Sequence, residues 1–196
     1  MTTTQARHVA TARRRVPGEP GVWVFLLGDL SVFALFFVTF MVERSKAPND
    51  FDIARQTLHI GIGLTNTFVL LLSSLMVVIA LGALRVGMRP LAGKAMIAAT
   101  ACGVIFVGLK CYEYRAMLSA GHGVGAHNFY LYYYVLTGIH LFHVCLVVGV
   151  LIAWGTQTRR PELSSVRMAV FESGTCFWHL VDMLWIMLFP LLYLVS

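Results

Sequence analysis

Long apolar runs alternate with short polar stretches along this chain, and five of the runs are long enough to cross a bilayer. About twenty apolar residues in helical form span the hydrocarbon core. The runs cover roughly residues 22–42, 62–84, 94–118, 129–155 and 170–195. Each is read as an α-helix, because backbone groups in hydrocarbon meet no water and must satisfy one another. The prolines respect this division. Pro17, Pro20, Pro48, Pro90 and Pro161 fall between the runs, where the missing N–H does no harm. Pro190 falls inside the fifth run and predicts a local kink, since its ring crowds the carbonyl of Ile186. The pattern therefore predicts an all-α membrane protein. A five-helix transmembrane bundle covers residues 21–196, after a basic tail at residues 1–20. No internal repeat or low-complexity stretch is visible.

Composition strengthens that reading. Apolar residues make up 58% of the chain and charged residues 12%. A soluble domain carries about a quarter of its residues as charges. The net charge of +6 does not point to nucleic acid, because the basic residues gather at the ends of the apolar runs. Their distribution sets the orientation. Ten lie on the side of the N-terminal tail: Arg7, Arg13, Arg14, Arg15, Arg85, Arg89, Lys94, Arg159, Arg160 and Arg167. Four lie on the other side (Arg44, Lys46, Arg55 and Arg115), and three of these are offset by Glu43, Asp50 and Asp52. The N-terminus is expected in the cytoplasm and the C-terminus on the opposite face of the membrane. The tail has arginines but no short apolar stretch ending in a small-residue cleavage site, so the first run is read as a retained helix rather than a signal peptide. Trp23, Trp154, Tyr130, Tyr132, Tyr133, Tyr134 and Tyr193 sit near run ends and read as interfacial anchors. Cys102, Cys111, Cys145 and Cys176 read as small buried hydrophobes. Gly61, Gly63, Gly103, Gly108, Gly138 and Gly149 read as points of close helix approach.

Each run also carries polar residues, and these are the candidate chemistry. They are Asp29 in the first, Asn66 in the second, Lys110 and Glu113 in the third, His140 and His143 in the fourth, and Glu172, His179 and Asp182 in the fifth. Ionisable groups in hydrocarbon are costly and face a partner helix or water. Lys110 and Glu113 stand three apart, as do His140 and His143, and His179 and Asp182. That spacing makes helical neighbours. Glu172 stands seven before His179, so the fifth helix carries one polar stripe. Three readings remain open. The groups can bond across helices and fix the bundle's packing. His and carboxylates on facing helices can hold a metal, although the paired E-x-x-H of di-metal bundles is absent. Or they can move protons. Asp29 reads either as a protonated acid bonded within the bundle or as a functional group. Lys110 and Glu113 read either as a structural ion pair or as a relay.

The motifs themselves bear a resemblance. "LTGIHLFHVCLVVG" followed by "FESGTCFWHLVDMLWIMLFPLLYL" closely resembles the last helices of subunit III of the haem–copper oxidases. The matching positions are Thr137, Gly138, His140, His143, Val144, Glu172, Trp178, His179, Val181, Asp182 and Trp185. "GLTNTFVLLLSS" resembles the family's helix with Asn66, Thr67 and Ser73. "LKCYEY" resembles its turn with Glu113 and Tyr114, and "WVFLLGDLSVFALFF" its first shared helix. Five spans match the form that lacks the first two helices of the mitochondrial protein. "PGEPGVWVFLLGD", Lys110 and "LFPLLYL" look most like NorE-type proteins, which accompany nitric oxide reductase. Asp29 stands where mitochondrial-type oxidases carry glutamate.

The resemblance implies a non-catalytic accessory subunit without haem or metal of its own. Such a subunit packs against a subunit I-like catalytic partner, holds phospholipid, and supports the partner's stability and proton supply, here in nitric oxide reduction. The residue count agrees, since the three intramembrane histidines are fewer than a haem–copper catalytic subunit needs. His179 and Asp182 are expected to share one buried network with Glu172. The alternatives are subunit III of an aerobic cytochrome c or quinol oxidase and, from another class, a small proton-coupled transporter. A transporter would show inverted repeats and broken helices, and neither is visible.

The topology is directly testable. A reporter fused after Ser196 is expected to be active in the periplasm and silent in the cytoplasm. The reverse pattern rejects the span count or the orientation.

Overall fold

The computed structural model describes residues 20–157 and 165–195. Most of the basic tail and Arg159 and Arg160 of the orientation argument lie outside them. The described residues form six α-helices: α1 (Pro20–Lys46), α2 (Pro48–Arg55), α3 (Ile60–Arg85), α4 (Arg89–Ser119), α5 (Asn128–Gln157) and α6 (Ser165–Phe189). A π-helical turn, Pro190–Leu194, follows α6. Five of the helices are long and apolar enough to cross a membrane. They coincide with the five expected runs to within a few residues at either end.

Prolines and glycines mark the boundaries. Pro90 sits in the first turn of α4 and Pro48 at the first position of α2. A first-turn proline forfeits no intrahelical bond. At Pro190 the α-helix cannot continue its bonding, and the chain widens into the π turn rather than simply bending. Helices α3 and α4 both end on a glycine with positive φ, Gly87 at 78° and Gly121 at 84°. Met88 N–H donates to Ala83 O at 2.8 Å, and His122 N–H to Met117 O at 3.0 Å. These six-to-one bonds close the helix ends and reverse the chain within a few residues.

Helices α3, α4, α5 and α6 form a ring in which each packs on its two neighbours, α3 on α4, α4 on α5, α5 on α6 and α6 on α3. Helix α1 stands outside the ring against α5 and α6. Most of its apolar side chains, including Val24, Leu27, Leu35 and Val38, point outward. Lipid tails are as apolar as these side chains, so the exposure carries no penalty. The sequence pattern missed α2, which is too short and too polar to read as a span. Its Phe51 and Ala54 are buried, and the Phe51 ring lies edge-on to Phe40 at 5.7 Å and to Phe129 at 5.8 Å. Helix α2 thereby plugs the end of the bundle where α1 turns into α3.

Close helix approach depends on fewer glycines than expected, and on one that was not singled out. Gly63 and Gly103 are packed tightly against Phe189 and Val148, whereas Gly61, Gly108, Gly138 and Gly149 have open space where a Cβ would be. The tightest position is Gly174, where a Cβ would lie 1.7 Å from the Trp154 ring. Trp154 in turn stacks on Phe171 at 4.4 Å. Trp154 is therefore an α5–α6 wedge and not an interfacial anchor. The cysteines also depart from expectation, since Cys111 and Cys145 face outward and Cys102 and Cys176 are only half-buried.

Overpacking a filled site costs about 1–3 kcal/mol. Gly174→Val is expected to lower the melting temperature of the purified chain, and Gly149→Val to leave it nearly unchanged. Equal effects in a thermal melt would contradict the wedge.

Candidate functional site: polar groups between the helices

The intramembrane polar residues do not form one network. They fall into separate groups, each tied to different helices.

The most buried group centres on Lys110 and Glu113, which neighbour each other one turn apart on α4. Both side chains are essentially inaccessible, and Lys110 Nζ lies 2.8 Å from Glu113 Oε2. The ammonium also donates to the hydroxyls of Tyr133 and Tyr193, each at 3.2 Å. Tyr193 donates to the other carboxylate oxygen, Glu113 Oε1, at 2.7 Å. The rings of Tyr133 and Trp185 pass 4.9 and 5.2 Å from Nζ, close enough for cation–π attraction. Both charges are thus fully bonded in a site without water-facing surface. Beside them, Tyr114 donates to Thr137 Oγ1 at 2.6 Å, because the only Thr137 hydroxyl proton is given to the Tyr133 carbonyl.

Trp185 joins this group to the rest of the ring. Its indole N–H donates to Thr67 on α3 at 3.0 Å, and its ring meets Phe106 on α4 at 4.9 Å and His140 on α5 at 5.2 Å. His140 is completely buried between these rings, and neither of its nitrogens has a hydrogen-bond partner among the described residues. Asn66 is equally buried and likewise without a side-chain partner among them. It is not seen bonding across helices, one of the three readings the sequence leaves open for these groups.

His143, one turn from His140, belongs elsewhere. Its Nε2 lies 3.2 Å from Asp29 Oδ1 on α1, and its Nδ1 lies 2.8 Å from the Ile139 carbonyl. A carbonyl only accepts, so Nδ1 carries a proton. Nε2 faces the Asp29 carboxyl and ties α5 to α1. Phe33 and Phe177 flank the imidazole at 5.8 and 6.2 Å. The pair is not sealed, with side-chain exposures of 13% for His143 and 11% for Asp29.

The polar stripe of α6 divides in the same way. His179 Nδ1 bonds the Ser74 hydroxyl on α3 at 2.9 Å. Asp182 is buried beside it. Glu172 does not join them. It pairs at 2.7 Å with Arg85 at the end of α3, with exposures of 24% and 55%. The expected coupling of Glu172 to His179 is therefore replaced by an α3–α6 clamp at the bundle's rim. A seven-residue separation aligns two positions on a helix but places them two turns apart, and Arg85 is the nearer opposite charge.

Sequence reasoning also misassigned the tyrosines. Tyr133 and Tyr193 are fully buried and Tyr130 nearly so. Their position near run ends suggested an interface. The signal that could have corrected this was the buried charge within reach, which needs hydroxyl partners. Among the described residues, no three His, Cys, Asp or Glu side chains come together as a metal would require.

Removing one member of a buried ion pair costs roughly 3–5 kcal/mol, whereas replacing both with apolar groups is often near neutral. Lys110→Met and Glu113→Leu are each expected to lower thermal stability sharply, and the double variant to recover most of the loss. An exposed pair contributes about 0–1 kcal/mol. Arg85→Ala should therefore be mild, and a double-mutant cycle should couple Glu172 to Arg85 and not to His179.

Comparison with known proteins places this geometry. The sequence model of the family "Cytochrome c oxidase subunit III" matches residues 2–196. The chain is 26% identical over 176 residues to a probable quinol oxidase subunit 3 of Staphylococcus haemolyticus, covering 90% of this chain and 88% of that protein. A probable quinol oxidase subunit 3 of Staphylococcus epidermidis is 27% identical over the same shares. With a match over essentially its full length, in a five-span helical bundle whose motif residues line the helix contacts, the chain belongs to the cytochrome c oxidase subunit III family.

Proposed function

We propose that this chain is the accessory subunit III of a quinol-oxidising haem–copper oxidase in a bacterial plasma membrane. In this reading it packs against the catalytic subunit and sustains that subunit's structure and proton supply. The full-length family match carries the proposal, and the quinol oxidase names of the relatives supply the electron donor. Association with nitric oxide reductase is the second reading. It rests on "PGEPGVWVFLLGD", Lys110 and "LFPLLYL", and none of the relatives named above carries it.

The residues suit a supporting role. Lys110 and Glu113 hold the ring together, and the Asp29–His143 pair holds α1 to α5. The second pair lies partly exposed at the bundle's periphery, so it is the better placed of the two to exchange protons with a neighbour. The N-terminus is taken as cytoplasmic, following the basic residues.

Affinity purification in mild detergent is expected to bring down a haem-containing subunit that consumes oxygen with quinol. Nitric oxide consumption by the purified complex would favour the second reading. Deleting the chain is expected to leave the partner's haem content intact while lowering sustained turnover. Asp29→Asn is expected to leave assembly unchanged and to make the turnover loss depend on pH. A pH-independent result assigns Asp29 to packing alone. Immediate loss of haem on deletion rejects the accessory role.

A further inference from the structure

Two side chains at the centre of the bundle are completely buried with their polar atoms unmatched. Among the described residues, neither nitrogen of His140 and neither the oxygen nor the nitrogen of the Asn66 carboxamide has a hydrogen-bond partner. The two lie at one level. Ser73 donates to the Ala99 carbonyl across the antiparallel α3–α4 contact at 2.9 Å. About two turns further along each helix, Asn66 comes level with Phe106. The Phe106 ring meets His140 at 5.7 Å. On the other side, Trp185 bonds Thr67, the residue after Asn66, and its ring lies 5.2 Å from His140. Helices α3, α4, α5 and α6 thus each send a side chain into one layer: Asn66, Phe106, His140 and Trp185.

The polar side chains around this layer are already engaged with one another. The Trp185 N–H goes to Thr67, and the Thr67 hydroxyl proton to the Gly63 carbonyl at 2.9 Å. Ser73 is spent on Ala99, and Thr137 on the Tyr133 carbonyl. The three ammonium protons of Lys110 go to Glu113, Tyr133 and Tyr193. A buried polar group without a partner costs about 1–3 kcal/mol. Four such atoms would cancel much of the roughly 5–15 kcal/mol that holds a domain together. What meets them must both donate and accept, because a carboxamide and a neutral imidazole each do both. It is neutral, because Lys110 is balanced by Glu113 and the level carries no net charge to hold an ion. It is small, because the site is enclosed on every side by protein. Buried water has these properties, and typically makes about three hydrogen bonds to groups that protein leaves unmatched.

We propose that the centre of the ring is an internal water site, with water hydrogen-bonded to the Asn66 carboxamide and the His140 imidazole at the level of Phe106. The water links α3 to α5, which do not adjoin in the ring, and it lies one turn along α4 from Lys110. The site belongs to the chain itself and does not depend on which catalytic subunit it accompanies.

Radiolytic hydroxyl-radical labelling of the full chain in detergent, read by mass spectrometry, tests this. Radiation splits water where it lies, so held water oxidises the side chains beside it. Phe106 and Phe40 make a matched pair, since both are phenylalanines with essentially no exposed surface. Phe106 is expected to be oxidised, with Trp185, and Phe40 to stay at background. Replacing both polar groups, Asn66→Leu with His140→Phe, should drop Phe106 to the Phe40 level. His140→Gln keeps a donor and an acceptor and should retain most of the label. If the double variant melts at a markedly lower temperature, Asn66→Leu alone is read in its place and should still reduce the label. Phe106 oxidised no more than Phe40 in the unaltered chain overturns the proposal. So does Phe106 label that is undiminished in the apolar variants, or that His140→Gln removes as completely as the double change.

Discussion

A lysine ammonium buried in the middle of a membrane bundle is the constraint around which this fold is organised. Lys110 has no exposed surface, so every part of its charge must be met by protein. Glu113 supplies the countercharge from the same helix, and an ion pair within one helix ties nothing together by itself. The tertiary structure comes from what the pair still needs. Tyr133 brings in α5, and Tyr193 brings in the turn after α6. Tyr193 is itself fixed from outside, because Arg55 of α2 donates to its carbonyl at 3.1 Å. A single buried charge therefore orders α2, α4, α5 and the C-terminal turn.

Several features of the fold serve this site. The chain leaves α-helical geometry at Pro190, and the π turn that follows sets Tyr193 over Glu113. Helix α2 contributes few buried residues, yet it supplies the guanidinium that clamps the turn. Trp185 fills the space between the charge and α3, offering a ring face to Lys110 and an N–H to Thr67. Low dielectric makes each of these bonds stronger than it would be in water, and makes the loss of any one more expensive.

The five spans were legible because bilayer thickness fixes a length and a composition that no other element in the chain shares. The membrane-embedded polar residues were legible as a set for the same reason, since each stands out against hydrocarbon. Their grouping was not. Spacing on one helix says which residues are neighbours, but partners sit on other helices, and the ring order of α3, α4, α5 and α6 is not written in any local pattern. His140 and His143 show the difficulty. They stand one turn apart, yet one packs into the ring against Trp185 and the other reaches α1 and Asp29. Glu172 shows it again, with Arg85 on another helix taking the place of His179. Lys110 and Glu113 were paired correctly because their partnership happens to be local.

The two intramembrane acid–base pairs differ in how completely they are bonded, and that difference separates their roles. Glu113 is buried and has both oxygens engaged, one by Lys110 and one by Tyr193. Neither oxygen is left to bond a neighbouring subunit. Asp29 has one oxygen on His143, while Oδ2 is buried without a partner among the described residues. The pair also lies where α1 meets the ring, a sparser helix contact than those within the ring. A group that must respond to a neighbouring subunit needs incomplete bonding and a peripheral position together. The α1–α5 pair has both, and the pair on α4 has neither.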